Sequence, residues 1–211
     1  DSVAYLFDAG VGVVRRASAA GKAGVSAWAP PRAGGQPNPR FAKIFITHLH
    51  SDHTMGLADA IFTPWIQGQR EPEEIYGPSG LEYLVQTILD GNAEDIRERY
   101  TAPGGPSRDG WKARVHEVAP GEVYRDTRVR VTAFQVPHSE WPNAYGYRID
   151  TPDRSIVISG DTRESASVAQ ACNGCDVLVH EVYSDSGFTT VPSARSAAST
   201  CSRAGRVRTD M

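Results

Sequence analysis

The chain has 211 residues, with 22 Lys and Arg against 25 Asp and Glu, a formal net charge of −3, 40% hydrophobic residues and 22% charged ones. That composition is ordinary for a soluble globular chain and excludes disorder over most of its length; no run of about 18 apolar residues offers a membrane-spanning helix. The mild acidity argues against a nucleic-acid binder held by bulk charge, though not against an enzyme that meets phosphates at a metal, and three Cys do not suggest a disulfide scaffold.

The chain begins at Asp1, and Val3-Ala4-Tyr5-Leu6-Phe7 reads as a strand ending at Asp8-Ala9-Gly10. No signal peptide is visible, which leaves the compartment open with the cytoplasm slightly favoured. A helix is predicted from Val11 to near Gly21, and residues 29–39 form a loop by their Pro and Gly chemistry. Lys43-Ile44-Phe45-Ile46-Thr47 is a short buried-strand run that leads into His48-Leu49-His50-Ser51-Asp52-His53. Gly77-Pro78-Ser79-Gly80 is a turn, with Ser79 and Glu82 expected as a capping box. Leu81, Leu84, Val85, Ile88 and Leu89 then make one apolar helical face. After a Pro/Gly loop at 102–110, strands are predicted at 112–118, 128–136, 144–150 and 155–159, with 151–154 as the turn between the last two. Glu164–Ala171 reads as a helix and Val177-Leu178-Val179 as a buried strand ending at His180-Glu181. The expectation is one domain over residues 1–192. Residues 193–211 form a tail with four Arg, one Asp and no structural period, which predicts disorder.

Four potential ligands, His48, His50, Asp52 and His53, fall within six residues. In an extended segment residues i and i+2 point the same way, so His48 and His50 can share a metal. A turn into a helix near His53 can aim Asp52 and His53 at a second one. Imidazole with carboxylate suits zinc, and also iron or manganese. His138 and Asp161 each stand where an apolar strand empties into a loop, as His48 does, and are the further candidates.

Thr47-His48-Leu49-His50-Ser51-Asp52-His53, then His138, then Ser159-Gly160-Asp161-Thr162, resembles the metallo-β-lactamase superfamily of metal-dependent hydrolases. Phe7-Asp8-Ala9-Gly10 and Val179-His180-Glu181 are similar to the ribonuclease Z-like branch, and the likeness runs from about residue 3 to about 188. The resemblance implies an α/β fold, the αββα sandwich, with metals at one edge of its two sheets. It implies two zinc ions: His48, His50 and His138 on the first, Asp52 and His53 on the second, and Asp161 bridging both. Asp52 would also accept a proton, and Glu181 would support the proton network of the metal site. A water between two metals loses its proton near neutral pH, and the metals offset the charge that develops on a phosphodiester or ester. Hydrolysis of a β-lactam or a thioester is an alternative. An iron dioxygenase on the same fold is a rival, and di-iron relatives place an acid where His50 sits.

The sequence also departs from that pattern. The six His stand at 48, 50, 53, 116, 138 and 180, so the late His and the His-Ser/Thr motif that complete the family's second site are missing. This predicts truncation or a frame shift near Pro192, a clipped N-terminus, a fold incomplete at its C-terminus and a weaker second metal filled out by water. A non-catalytic or crippled fragment is the corresponding alternative. His138 to Asp161 spans only 23 positions, with no room for the long arm that grips tRNA in ribonuclease Z enzymes. The expected partner is therefore a small-molecule or phosphodiester substrate rather than tRNA, with no membrane and with a homodimer open. Cys172-Asn173-Gly174-Cys175 lacks the second pair of a zinc ribbon and does not open a helix as a redox motif does, so a structural role is expected. His116 is expected on a surface, His180 at a strand end rather than on a metal, and Trp65 and Trp141 in packing rather than in a pocket.

Overall fold

Each early strand carries an aliphatic residue at the matching register position, and the backbone pairs these into a row. Leu6 lies opposite Ile44, Ile44 opposite Ile75, and Ile75 opposite Val115. The next row is aromatic: Phe7, Phe45, Tyr76 and His116, with ring centroids 4.9, 5.1 and 4.4 Å apart along it. These rows belong to β1 (Tyr5–Phe7), β2 (Lys43–Phe45), β3 (Glu73–Gly77) and β4 (Ala113–Glu117), a fully parallel sheet in the order β1-β2-β3-β4. The computed structural model describes residues 3–23 and 40–182. The described residues fall into two compact units, one up to Val123 and the other from Tyr124, with the boundary inside β5 (Gly121–Arg125).

Parallel strands need long crossovers, and helices supply them. The first unit carries α1 (Val13–Lys22), α2 (Ser51–Thr54), α3 (Leu57–Ile66), α4 (Leu81–Gly91) and α5 (Ala93–Thr101). Val14 of α1, Leu57 and Ile61 of α3, and Leu81, Val85 and Leu89 of α4 pack with the aliphatic row into one buried core. Removing such side chains from water contributes about 25 cal/mol per Å² of apolar area, which makes this core the main stabilising element of the unit. The second unit holds a five-stranded sheet in the order β5-β6-β7-β8-β9, with β6 at Arg130–Gln135, β7 at Tyr145–Asp150, β8 at Ser155–Ile158 and β9 at Val177–Val179. β6-β7 and β7-β8 are antiparallel, and α6 (Ala166–Ala171) makes the crossover to the parallel β9.

The expected strands at 3–7, 43–47, 112–118, 128–136, 144–150, 155–159 and 177–179 are present, some of them shorter at their ends. The α/β class holds. Three elements went unread in the sequence: β3, β5 and α5. The capping box is a correction. The N-cap of α4 is Gly80, at φ +98°, one residue past Ser79, and Ser79 does not cap it. Glu117 at the end of β4 serves instead, accepting from Gly80 N at 2.7 Å and Glu82 N at 3.2 Å. A carboxylate brought in by the sheet thus replaces the local hydroxyl. A second correction concerns Val177, Leu178 and Val179, which are exposed rather than buried among the described residues. Cys172 and Cys175 are bonded to each other, a single local bridge. Among the described residues no helix is long and apolar enough to cross a membrane. The predicted loop at 29–39 and the tail at 193–211 lie outside the described residues.

Candidate metal centre

β2 delivers the His segment to its own C-terminal end. Thr47 is buried and fastened twice to Asp8: its amide donates to Oδ1 at 2.7 Å and its hydroxyl to Oδ2 at 2.9 Å. The hydroxyl has one hydrogen and spends it on Asp8, so it must accept from His48 Nδ1, 3.0 Å away. His48 therefore carries its proton on Nδ1 and its lone pair on Nε2. The same reasoning applies to His53, whose Nδ1 lies 2.8 Å from Asp8 Oδ2. A carboxylate only accepts, so His53 also presents Nε2 as the lone-pair nitrogen. One acid thereby sets the tautomer of two imidazoles.

The rings are close together. His48 is fully buried, and its Nε2 is 3.0 Å from His50 Nδ1. The His48 and His53 centroids are 4.2 Å apart. His50 sits in extended backbone as the N-cap of α2, and the helix turns at once to carry Asp52 and His53. This donor set, three imidazoles with two lone pairs oriented by one acid, fits a borderline-soft divalent cation. Asp52 lies on the solvent side, its side chain 75% exposed and Oδ2 3.6 Å from His53 Nε2.

The loop Asp8-Ala9-Gly10 packs directly on this turn. Ala9 N donates to His53 O at 2.8 Å and Gly56 N to Ala9 O at 2.7 Å. A Cβ on Gly10 would stand 2.6 Å from Asp52 O, and one on Gly56 would collide with Gly10 O, so both positions require glycine for the approach. Asp8 itself has φ +59°, a costly conformation held by its three bonds. Asp8 is the functional residue that the sequence reading missed. It was quoted only as part of a motif, and its partners are 39 and 45 positions away.

In the second unit His138 follows β6 at a tight turn, where Trp141 N donates to His138 O at 2.9 Å. Asp161 follows β8 past Gly160, which has φ +62°. The two turns share an anchor: Arg163 N donates to Pro137 O at 3.2 Å, and Thr162 Oγ1, whose nearer acceptor is Arg163 O at 2.8 Å, lies 3.2 Å from the same carbonyl. Glu181 accepts a short hydrogen bond from Thr162 N, next to Asp161. Ser159 Oγ donates to Gly160 O at 2.7 Å, so it accepts from His180 Nδ1, also 2.7 Å away. Glu181 and His180 thus both tie down the segment that carries Asp161.

The remaining aromatic and His residues have other tasks. His116 Nε2 donates to Glu74 Oε2 at 2.7 Å on the surface. Glu74 is pushed up by partial burial but held below the usual carboxylate range by its bonds with His116 and Arg114. Trp65 is fully buried and donates to Ser107 O at 2.7 Å, which makes it a packing residue.

Comparison with known proteins agrees with this architecture. The family model described as Beta-lactamase superfamily domain matches residues 4–208. Ribonuclease Z of Mycobacterium bovis (strain BCG / Pasteur 1173P2) is 31% identical over 219 residues, covering 96% of this chain and 72% of its own length. Among solved structures, human tRNase Z, short form, superposes with a TM-score of 0.60 at 23% identity, over 92% of this chain and 76% of that one. Zn(2+)-bound PqqB from Methylobacterium extorquens shares the fold with a TM-score of 0.54 at 15% identity, over 87% and 58%. The chain belongs to the metallo-β-lactamase superfamily and is a hydrolase of its ribonuclease Z-like branch.

Proposed function

We propose that the chain is a zinc-dependent phosphodiesterase acting on RNA or on small phosphodiesters. The observation that carries this reading is the Asp8–Thr47 network, which places a ring proton of His48 and of His53 on Nδ1 and leaves Nε2 as the candidate donor atom. By the family pattern His48, His50 and His138 would hold one zinc, Asp52 and His53 a second, and Asp161 would bridge them. When bound, zinc would lower the pKa of a water and offset charge on the phosphoryl oxygens.

The residues of the chain do the rest. Asp8 fixes two ligand tautomers before any metal arrives. Asp52 is exposed and one residue from His53, a suitable place to accept a proton from the attacking water and pass it to solvent. Glu181 holds the amide of Thr162, which keeps the Asp161 turn in position. The relatives named ribonuclease Z support RNA as the polymer. The interval of 23 positions between His138 and Asp161 supports a substrate gripped without an inserted arm, which favours short or unstructured RNA over tRNA.

Elemental analysis of the folded chain, before and after chelation and zinc reconstitution, tests this together with turnover of bis(p-nitrophenyl) phosphate and of a short RNA. Zinc-dependent cleavage of both is expected. Zinc bound without turnover would replace the proposal with a non-catalytic metal-binding role, and a folded chain that takes up no metal would overturn it.

A further inference from the structure

Cys172 and Cys175 close α6 and precede β9, outside the candidate metal centre. Their turn is built by the backbone: Cys175 N donates to Cys172 O at 2.9 Å, and Gly174 supplies the positive φ of +71° that the turn needs. The next residue is anchored independently, with Asp176 N on Ser155 O at 2.9 Å and Ser155 N on the Asp176 carboxylate at 2.7 Å. The sulfurs are therefore brought together by elements that do not depend on the bond between them. A bridge closing so short a loop removes little unfolded-chain entropy compared with a long one, so it is poorly placed to serve as a scaffold. Both cysteines are half-buried and flanked by the exposed Asn173 and Gly174, which leaves room for an attacking thiol.

We infer that Cys172 and Cys175 form a reversible thiol–disulfide exchange site, the substrate of a dithiol reductant rather than a catalyst of exchange. A catalytic pair opens a helix, whose N-terminal dipole stabilises the thiolate; this pair ends one, where the dipole opposes it. In the exchange a thiolate of the reductant attacks one sulfur, the Cys172–Cys175 bond breaks, and a mixed disulfide forms. The released cysteine thiolate takes a proton. The second thiol of the reductant then expels the other cysteine and closes its own disulfide. Two electrons and two protons pass to the protein, and the reductant is oxidised by the same amount. Glutathione disulfide, reduced to two glutathione molecules, serves the reverse step.

The test uses the full chain equilibrated across glutathione and dithiothreitol redox buffers, quenched in acid, alkylated and digested with trypsin. Residues 164–195 form one tryptic peptide that contains both cysteines and leaves Cys201 in another. Expected is a peptide two hydrogens lighter and unalkylated in oxidising buffer. It should convert directly to a doubly alkylated one in excess dithiol, with the same far-ultraviolet circular dichroism at both ends. A peptide that stays doubly alkylated in oxidising buffer, one that carries only glutathione adducts, or one that resists excess dithiol would overturn the inference. So would loss of the folded spectrum on reduction.

Discussion

His53 on α2 of the first unit and Asp161 beyond β8 of the second are held by different means. The His53 ring is bonded to Asp8, a side chain just past β1, and so is the Thr47 that orients His48. The segment that carries Asp161 is held through its neighbours: Thr162 N on Glu181 and Arg163 N on Pro137 O. The first arrangement fixes which nitrogen carries a proton; the second fixes where a loop runs. The packing follows the same division. The first unit buries its sheet row under α1, α3 and α4, while the described part of the second leaves Val177, Leu178 and Val179 of its edge strand exposed. Imidazole donors must be presented in one tautomer, whereas a carboxylate has two equivalent oxygens and needs only to be placed. The surroundings of Asp161 can therefore tolerate more substitution than those of His48 and His53.

The largest expected effect belongs to the first unit alone. Burial pushes the Glu73 carboxyl from 4.5 to about 7, against the Gln69 hydrogen bond and the nearby charges of Lys43 and Arg40. Below about pH 4.5 both folded and unfolded chains hold the proton. Between 4.5 and about 7 the unfolded chain releases it first, so stability falls as pH rises, and above that range the loss is complete. The shift corresponds to about 3 kcal/mol, as an order of magnitude. Glu73→Gln keeps an acceptor for Gln69 Nε2 and should remove this slope. Urea unfolding at pH 5 and pH 8 should show the variant gaining most at the higher pH; equal pH slopes in both proteins would refute it.

Asp8→Asn probes the tautomer argument. The amide nitrogen would face His53 Nδ1 as a second donor, which favours moving the ring proton to Nε2, the atom meant for metal. Loss of such an outer partner typically costs about 10–100-fold in metal affinity. Competition with a chromophoric chelator should show zinc binding weakened in that range. Unchanged affinity would mean that the first unit holds its ligands no more strictly than the second.

Two glycines sharpen the comparison through packing. A Cβ on Gly56 would meet backbone, colliding with Gly10 O and lying 2.7 Å from Ala9 O. A Cβ on Gly146 would meet the ring of Phe134, a side chain that can shift, and then Ile158 O at 3.0 Å. Overpacking costs about 1–3 kcal/mol, and Gly56→Ala should fall at the upper end with Gly146→Ala at the lower. Chemical denaturation of both variants decides the order, and a reversed order would contradict the rigid-backbone account of the first unit.

What the sequence made legible follows from where information is local. The runs at Ile44-Phe45-Ile46 and Val177-Leu178-Val179, the alternation of β6 to β8 and the spacing of His48 to His53 are all signals within a few residues. β3 was hidden because it opens on Glu73 and Glu74, and a buried acid paired with Gln69 looks like surface. α5 was hidden because among its residues only Ile96 is buried, and most of the rest are charged, with pairs such as Asp95–Arg99. The cap of α4 by Glu117 and the grip of Asp8 on Thr47 and His53 cross 35 to 45 positions, and no local pattern carries such partnerships. The candidate ligands and Glu181 were therefore marked by local motifs, while Asp8, the group that orients two imidazoles, was not.

The smallest effect expected is also the one that separates placing from chemistry in the second unit. Glu181 accepts from Thr162 N, and an amide oxygen can accept that bond as well as a carboxylate oxygen can. If Glu181 acts only by holding the Asp161 turn, Glu181→Gln should keep zinc affinity and turnover within about threefold, a few tenths of a kcal/mol to somewhat under one. Glu181→Ala leaves the amide without that acceptor and should cost about 1 kcal/mol or more in stability. If the carboxylate also carries protons, Glu181→Gln should lose turnover while its stability and zinc binding stay unchanged, and its pH–rate profile should lose a limb. Measuring turnover, zinc affinity and unfolding on the same two variants distinguishes the cases. Equal loss in Gln and Ala variants across all three would show that charge at Glu181, rather than the hydrogen bond, holds the turn, and the contrast between the units would then narrow to Asp8 alone.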